Sequence, residues 1–421
     1  MRTTGCLQAR GLMLLLPVLL VAVAVCFMPL ISSVVGEVTM AEDDAGAFHI
    51  NTSDPMSQPV FVNGMNVHEA LSTLMSTVSA QQSTINAQQN TNALQHHRLC
   101  RLVEPSASTF GQLESAGNRW LGGVVANNGL IYAAPLYPSS VLIINPNTNT
   151  VDTSTISGFP VGGGKWAGAV LAHNGLIYMF PSNRETMLII DPDTNTVDTT
   201  SIHSLGSTSN KWRSGVVAYN GLIFGIPYFA TSVLIIDPET NTADITTLSG
   251  LSSQGYKWYG GVHPDNGLIY CIPVRASSVL IINPETLAMD VTTISGLGTN
   301  FKWYDGVLAH NGLIYTIPGE AATTLVINPS TNATDEHFVA GASGTSKWVG
   351  GVLAPNGNVV GFPFDSPSVL IFDPTTNTTD TTAVTGLVGS FKWWDGVLAP
   401  NGLIYGIPFD AENILVIDPG C

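Results

Sequence analysis

The chain has 421 residues, of which only 10% are charged, and its formal net charge at pH 7 is −16. So acidic a chain lacks the basic surface with which proteins bind nucleic acids, and this function class is excluded. A low charge density with many Thr, Ser, Asn and Gly residues is typical of an extracellular β-protein.

The first 36 residues predict a membrane-targeting segment. Residues Leu12 to Ile31 form an apolar run of 20 residues, long enough to span a bilayer. Arg2 and Arg10 precede the run, which predicts a cytoplasmic N-terminus. A signal anchor is the preferred interpretation, and a signal peptide cleaved near Gly36 is the alternative. Either one places residues 37–421 outside the cytosol, in a single-pass membrane protein or a secreted one.

A flexible spacer is expected at residues 37–63, followed by a helical stalk at 64–99, for which a coiled coil is one interpretation. The helix carries a heptad seam that is apolar for two heptads and then polar. A homo-oligomer through residues 67–99 is one interpretation, and a single amphipathic helix is the other. The seam positions are Val67, Leu71, Leu74, Val78, Gln81, Ile85, Gln88, Asn92, Gln95 and Leu99.

A dipeptide recurs along the rest of the chain. Trp follows Lys at six positions and follows Arg119 at a seventh, with spacings of 46, 46, 46, 45, 45 and 45 residues. A fixed period in this range indicates a repeat architecture. The seven repeat tryptophans are Trp120, Trp166, Trp212, Trp258, Trp303, Trp348 and Trp393.

Each repeat predicts four short strands, which we name a, b, c and d. Asn-Gly between two apolar runs, as at Asn220-Gly221, is a strong β-hairpin signal because both turn residues need positive φ. Asp/Asn-Pro followed by Thr-Asn, as at Asp237, predicts a second turn. Four strands in about 45 residues match one blade of a β-propeller. The fold class is therefore all-β, with a seven-bladed propeller of four-stranded blades at residues 100–421.

The last repeat ends before its fourth strand. Residues 102–110 lie at the offset where a strand d belongs, so the ring is expected to be closed by this N-terminal strand. Cys100 and Cys421 would then meet, which predicts a disulfide bond formed in an oxidising compartment. Two unrelated thiols are the alternative. Cys271 is expected to be a small buried residue.

The hairpin at residues 306–315 and the turn at residues 328–331 resemble the kelch-type, galactose-oxidase-like propellers. The resemblance covers roughly residues 100–421 and implies the propeller fold. Ile317-Pro318 stands where kelch repeats carry a double glycine, and the repeat Trp precedes strand a instead of following the c–d turn. No copper-ligand set of the oxidase has a counterpart, so no cofactor and no metal site are expected.

The Lys-Trp pair has two interpretations. In the structural one, each Trp packs between neighbouring blades and is covered by the Lys stem, with Lys pairing the Asp of strand d. In the functional one, the cationic heads converge on one mouth of the ring and attract an anionic ligand, or each Trp stacks on a sugar. Because the pair is the same in nearly every blade, packing is preferred.

Positions that differ between blades are the better candidates for a ligand site. They follow each Trp or lie in the b–c loops, on the face where propellers usually bind ligands. Arginines fall in blades 2 to 4 and most carboxylates in blades 5 to 7, although solvated surface charge is the alternative. The candidates are Arg213, Tyr259, Tyr304, Asp305, Trp394, Asp395, Arg275, Asp365 and Asp410.

The sequence favours recognition of a glycan, a peptide or a protein partner at the cell surface. A secreted carbohydrate-active enzyme with Asp305 and Asp395 as acid–base pair is one alternative, and an architectural surface protein is the other. No metal-ligand spacing or nucleophile motif is present. Asn51, Asn332 and Asn377 fit the N-glycosylation pattern.

Overall fold

The computed structural model describes residues 38–42, 48–52, 61–62, 65–100, 104–114, 117, 119–339 and 344–420. Two compact units divide the chain, residues Met1–His96 and His97–Cys421. The predicted membrane segment at residues 12–31, Cys6, Cys26 and one partner of the predicted disulfide, Cys421, lie outside the described residues.

The N-terminal unit contains two short hairpins and most of one helix. Val38–Glu42 pairs with Phe48–Thr52, and Phe61–Val62 pairs with Met65–Asn66. The helix spans Val67–Cys100, whereas the sequence predicted a helical stalk at residues 64–99. The Asn66 side chain caps it, because Oδ1 accepts hydrogen bonds from the N–H groups of His68 and Glu69 at 3.1 and 3.3 Å.

The predicted seam of this helix is open to solvent within the described unit. Leu71, Val78 and Ile85 are 45%, 53% and 39% exposed. Among the helices of the described residues, none is both long and apolar enough to cross a membrane.

The C-terminal unit is a ring of seven four-stranded antiparallel sheets. Strand a of every blade contacts strand a of both neighbours, including blade 7 against blade 1, so these strands form the inner wall of the ring. They are Trp120–Val125, Trp166–Leu171, Trp212–Val217, Trp258–Val262, Trp303–Leu308, Trp348–Leu353 and Trp393–Leu398.

Strands b and c form the buried middle of each blade. Strands b are Ile131–Pro135, Ile177–Pro181, Ile223–Pro227, Ile269–Pro273, Ile314–Pro318, Val359–Pro363 and Ile404–Pro408. Strands c are Leu142–Asn145, Leu188–Asp191, Leu234–Asp237, Leu280–Asn283, Thr323–Asn328, Leu370–Asp373 and Ile414–Asp418. Their side chains pack against the next blade, so the core consists of one apolar layer at each junction.

The outer strands d are mostly three residues long, which limits the free edge of each sheet. They are Thr150–Asp152, Thr196–Asp198, Thr242–Asp244, Ala288–Asp290, Ala333–Phe338 and Thr378–Asp380. In blade 7 the outer position is taken by Ser106–Phe110, which pairs antiparallel with Ile414–Asp418 over five residue pairs.

The hairpin asparagines also join neighbouring blades. Nδ2 of Asn128 in blade 1 donates to the carbonyl oxygen of Pro192 in the c–d turn of blade 2, at 2.8 Å. The same bond joins blade 7 to blade 1, from Asn401 to Pro146 at 2.9 Å. The Asn-Gly motif therefore makes a turn and a blade-to-blade contact with the same residue.

The repeat lysines are buried, contrary to the interpretation in which their heads attract an anion. Lys165, Lys211 and Lys257 are at most 2% exposed. Nζ of Lys211 donates to the carbonyl oxygens of Ser182, Arg184 and Thr208 at 3.2, 2.8 and 3.0 Å. Each Lys thereby ties the b–c loop of one blade to the d–a loop that leads into the next.

The predicted pairing of Lys with the strand-d Asp is wrong, because both groups have other partners. The Asp ends its strand: Asp244 Oδ1 accepts hydrogen bonds from the N–H and hydroxyl of Thr246 at 2.6 and 2.7 Å. The Trp packs at the junction as expected. Trp212 is 2% exposed, and its Nε1 donates to the Ser232 carbonyl at 2.8 Å.

Candidate functional site

A β-bulge follows the repeat Trp in every blade. In blade 5 the register of strand a against strand b shifts between Trp303 and Gly306, so that Tyr304 and Asp305 lie in the bulge. Bulges bend a strand and redirect its side chains. The positions that differ most between blades are thus the ones that the bulge turns toward the centre of the ring.

The residues that directly follow the repeat Trp in six blades, together with b–c loop residues of five blades, fill the centre with an apolar cluster, which we call the axial plug. Trp394 lies in its midst, with ring centroids 5.0 Å from Phe364, 5.2 Å from Phe409 and 5.6 Å from Tyr259. Packing is therefore the first role of these residues. The plug comprises Leu121, Leu136, Ala167, Tyr228, Tyr259, Val274, Tyr304, Val349, Phe364, Trp394 and Phe409.

A cavity of about 620 Å³ lies against the plug, which we call the axial bowl. Its size suits a small ligand or a side-chain anchor of a partner. Nine of the lining residues lie in the d–a and b–c loops, and four follow the repeat Trp in strand a, namely Arg213, Tyr304, Val349 and Trp394. Eight of the 13 are aromatic; the lining is Arg213, Tyr228, Tyr256, Phe301, Tyr304, Glu320, Ser346, Val349, Phe364, Phe391, Trp394, Phe409 and Asp410.

Two aromatic residues of the bowl have a left-handed backbone. Tyr256 and Phe391, each just before a repeat Lys, have φ of +60° and +53°. Blades 2 and 3 place Gly164 and Asn210 at this position, which tolerate positive φ. A bulky residue there costs about 1 kcal/mol or more. Both rings stay partly exposed, at 38% and 47%, so the strain holds two rings where a ligand can reach them.

The sequence analysis missed these residues, together with Phe301 at the same position of blade 5. The signal was present. The residue before each Lys is Gly, Asn or Ser in blades 2, 3 and 6 and aromatic in blades 4, 5 and 7. The sequence prediction compared the residues after each Trp between blades and not the residue before each Lys.

Arg213 contributes the positive charge of the bowl. Its guanidinium carbon lies 5.0 Å from the Tyr228 ring centroid, and Nη2 donates to Asn210 Oδ1 at 2.6 Å. Within the described part of the chain, no carboxylate lies within 4.0 Å of this guanidinium. An Arg that stacks on a ring and lacks an ion pair can bind a carbonyl or carboxylate of a ligand.

The carboxylates of the bowl come from other blades. Glu320 of blade 5 and Asp410 of blade 7 line the cavity, whereas Arg213 belongs to blade 3. Arg213 and the two carboxylates thus line the same cavity from three different blades.

The other candidates lie elsewhere. Tyr259 is 3% exposed within the plug. Asp365 accepts a hydrogen bond from the Phe391 N–H at 2.8 Å and so supports the left-handed backbone there. Arg275 lines a neighbouring cleft. Asp305 and Asp395 are absent from the residues that line the bowl.

Asp305 and Asp395 lie within electrostatic reach of each other deep in the ring, although each keeps some accessible surface. Asp305 accepts hydrogen bonds from the N–H groups of Gly306 and Gly351 at 2.8 and 3.2 Å. Burial, followed by the charge of Asp395, holds the pKa of Asp305 well above its usual range. Burial raises the pKa of Asp395 to about 6, against a hydrogen bond from the Gly396 N–H.

This pair predicts that the propeller loses stability as the pH rises from about 4 through 6. Both pKa values are higher in the folded chain, so their stabilisation is complete below pH 4 and lost above the folded pKa. Asp395→Asn keeps an oxygen for the Gly396 N–H and should stabilise the protein at pH 7.5 by about 2 kcal/mol, with little effect at pH 4. Thermal unfolding at both pH values measures this.

Asp244→Asn is the control variant, and its effect on stability is expected to be opposite to that of Asp395→Asn. Hydrogen bonds from the hydroxyls of Thr247 and Thr246 lower the pKa of Asp244 to about 2, so this variant should lose stability at pH 7.5. Burial lowers the pKa of Lys211 and Lys257 to about 8, so these lysines begin to lose protons at pH 7.5, but equally in the wild type and in Asp395→Asn. Two results together would contradict the prediction: a wild-type protein that is more stable at pH 7.5 than at pH 5, and an Asp395→Asn variant that shows the same difference in stability.

Metal and thiol chemistry find no support among the residues that the structure describes. No group of three or more His, Cys, Asp or Glu side chains there could hold a metal ion. Cys271 is a buried thiol as expected, and burial raises its pKa.

No protein family and no curated protein matches the sequence. Solved structures resemble the fold at low identity. Virginiamycin B lyase from Staphylococcus aureus has a TM-score of 0.60 at 8% identity, over 75% of this chain and 99% of that one. The same lyase is also known as a catalytically inactive variant with quinupristin, at a TM-score of 0.60 and 9% identity over the same shares.

A second similar structure is the extracellular domain of a putative one-component system from Bacteroides thetaiotaomicron. Its TM-score is 0.52 at 11% identity, over 73% of this chain and 43% of that one. At such identities the likeness concerns the fold alone. The chain is a seven-bladed β-propeller of four-stranded blades, and the resemblance to kelch-type repeats has no family match behind it.

Proposed function

We propose that this propeller is a recognition protein whose axial bowl binds an apolar side chain of a peptide or protein partner. The observation that carries the proposal is the pair of left-handed aromatic residues, Tyr256 and Phe391, at the bowl. Asn or Gly would adopt this backbone conformation without strain. An aromatic residue is kept there in spite of the strain when its side chain has a function of its own, such as binding a ligand.

A peptide fits the chemistry of the bowl better than a glycan does. Tyr, Trp and Arg are enriched at the energetic centres of protein interfaces, and Lys is depleted at interfaces. The bowl has this composition, and the repeat lysines are buried. Most of its rings meet edge to face, as Tyr304 and Phe364 do against Trp394, which leaves few ring faces open for a sugar.

The carbohydrate-active alternative has less support. Asp305 and Asp395 accept hydrogen bonds from backbone N–H groups of the bulges and do not line the bowl. A general acid or base must be within hydrogen-bond reach of the substrate, directly or through one water. The architectural alternative predicts that no ligand binds.

A location outside the cytosol is part of the proposal, either as a single-pass membrane protein or as a secreted one. The apolar run at residues 12–31 supports it, as does the occurrence of this fold in extracellular domains. Closure of the ring by residues 106–110, a Cys100–Cys421 disulfide, oligomerisation through residues 67–99 and glycosylation at three sequons are further proposals. The sequons are Asn51, Asn332 and Asn377.

Phe391→Asn tests the bowl. Asn suits the positive φ, so the variant should keep its melting temperature within a few degrees while binding weakens at least tenfold, or by about 1.4 kcal/mol. The full-length protein would be challenged with a displayed library of random peptides and with a glycan array. Enrichment of peptides that carry a large apolar residue is expected.

Val388→Asn is the matched control, because Val388 lies in the same loop, is 85% exposed and does not line the bowl. Selected peptides should bind this variant as tightly as the wild type. Peptides that bind wild type and Phe391→Asn equally would place the site elsewhere. Binding to glycans alone would favour the glycan alternative.

A further inference from the structure

A second cavity, of about 630 Å³, adjoins the bowl at the junction of blades 4 and 5, and we call it the junction cleft. It shares Phe301 and Glu320 with the bowl, so these two residues lie between the two spaces. Its lining is Arg275, Leu297, Gly298, Asn300, Phe301, Lys302, Glu320 and Ala321.

Other junctions fill the equivalent space with the residue that corresponds to Arg275. Between blades 3 and 4, Phe229 lies so close over Gly255 that an added Cβ would approach its ring to 2.4 Å. Between blades 2 and 3, Asn183 bridges the loops by donating to the Gly163 carbonyl and accepting from the Asn210 N–H, both at 2.7 Å. Arg275 instead lies 5.1 Å from the Phe301 ring centroid and leaves the cleft open.

The walls of the cleft are held in place by Lys302. Its Nζ donates to the carbonyl oxygens of Val274 and Ala276 in one loop, and to those of Gly298 and Asn300 in the other, at 3.0–3.3 Å. Both loops form the cleft. A ligand would therefore meet a preformed space and lose less free energy to ordering.

Two polar groups of the cleft keep hydrogen-bonding capacity. Arg275 donates from Nε to the Thr299 carbonyl at 3.3 Å and has no carboxylate within 4.0 Å in the described chain. The Glu320 carboxylate accepts no hydrogen bond from another residue that the structure describes. The cleft thus offers a donor and an acceptor beside an apolar floor of Leu297 and Phe301.

We propose that the bowl and the junction cleft form one groove for an extended peptide segment with two apolar side chains, one in each space. A peptide offers both an N–H donor and a C=O acceptor at each residue, and these match Glu320 at the divide and Arg275 in the cleft. The two spaces lie on either side of Phe301, so two side chains of one continuous peptide backbone would fill them, one in each space. This inference rests on the proposed function and specifies its ligand as a two-anchor peptide.

The double variant Arg275→Phe with Asn300→Gly tests the groove, because it copies the junction of blades 3 and 4 and should fill the cleft without harming the fold. Peptides would be selected from a displayed random library on the full-length wild-type protein. Two apolar positions are expected in them. Binding to the filled variant should weaken at least tenfold, whereas peptides cut back to the bowl anchor should bind both proteins equally.

Three results would overturn the proposal. If two-anchor peptides bind the filled variant as tightly as wild type but fail on Phe391→Asn, the proposed function stands and the cleft is no part of the site. If binding survives both changes, the bowl and the groove are both wrong. If no peptide is enriched while glycans bind, the ligand class is wrong. Val388→Asn, which lines neither space, is the control and should bind as tightly as wild type.

Discussion

Replacing Lys302 with Met should destabilise the propeller by about 3 kcal/mol, because buried carbonyl groups that lose their donor cost roughly 1–3 kcal/mol each. Four carbonyl oxygens surround its Nζ, and only the one of Val274 also accepts a backbone N–H. Met keeps most of the apolar stem, so the packing on Trp303 changes little. Equilibrium unfolding in urea would measure the loss.

Two variants separate this effect from loss of charge or volume. Nζ of Lys257 donates to two carbonyls, those of Tyr228 and Gln254, and the Tyr228 carbonyl also accepts a backbone N–H, so Lys257→Met should cost about a third as much. Lys302→Arg should cost less than Lys302→Met, because Arg119 holds the same position at the blade 7–1 junction and donates to the Ala411 carbonyl. Equal losses in both Met variants would show that the carbonyl bonds do not set the cost.

The repeat itself could be predicted from the sequence because it depends on local chemistry. Asn-Gly and Asp-Pro turns fix where strands end, and alternating apolar runs fix which strands are buried. The Trp spacing then gave the number of blades. Counting strands also predicts that residues 102–110 supply the outer strand of the seventh blade, since six complete blades leave a seventh without one.

The site was harder to predict because its residues depend on contacts between blades. The bulge after Trp303 does not appear in the residue pattern, yet it decides that Tyr304 packs in the plug while Asp305 does not line the bowl. The carbonyls that bind a repeat Lys lie up to 29 residues away, in another blade. The recurrence of Lys in the sequence does not show whether its ammonium group is buried or exposed.

Left-handed backbone geometry was equally hidden. A Phe before Lys reads as an ordinary apolar residue unless φ is known, and only the alignment with Gly164 and Asn210 shows that position 391 needs a turn former. The charges of the bowl were more accessible to sequence reasoning. The d–a and b–c loops of successive blades, and the strand starts beside them, face one side of a propeller, so Arg213 and Asp410 could be assigned to one face from the sequence.

Deleting residues 106–110 should destabilise the propeller by about 3 to 5 kcal/mol and make it prone to aggregate. Five residue pairs would be lost, at roughly 0.5–1.5 kcal/mol for each hydrogen bond. The buried strand Ile414–Asp418 would become a free apolar edge that invites pairing with another chain. Thermal unfolding and light scattering of the full-length and deleted chains would measure both effects.

A rescue variant makes this test specific to the strand. In blade 1, four residues join Asn145 to Thr150, and three residues, Pro419 to Cys421, follow Asp418 at the chain end. Adding one Asn and then residues 106–110 after Cys421 therefore restores a turn of the same length, with the strand in its original direction and register. Recovery of the lost stability in this variant, with a C-terminal Gly/Ser tail of equal length as control, would show that the ring needs the strand itself. An unchanged melting temperature after the deletion would show instead that six complete blades and a three-stranded seventh suffice.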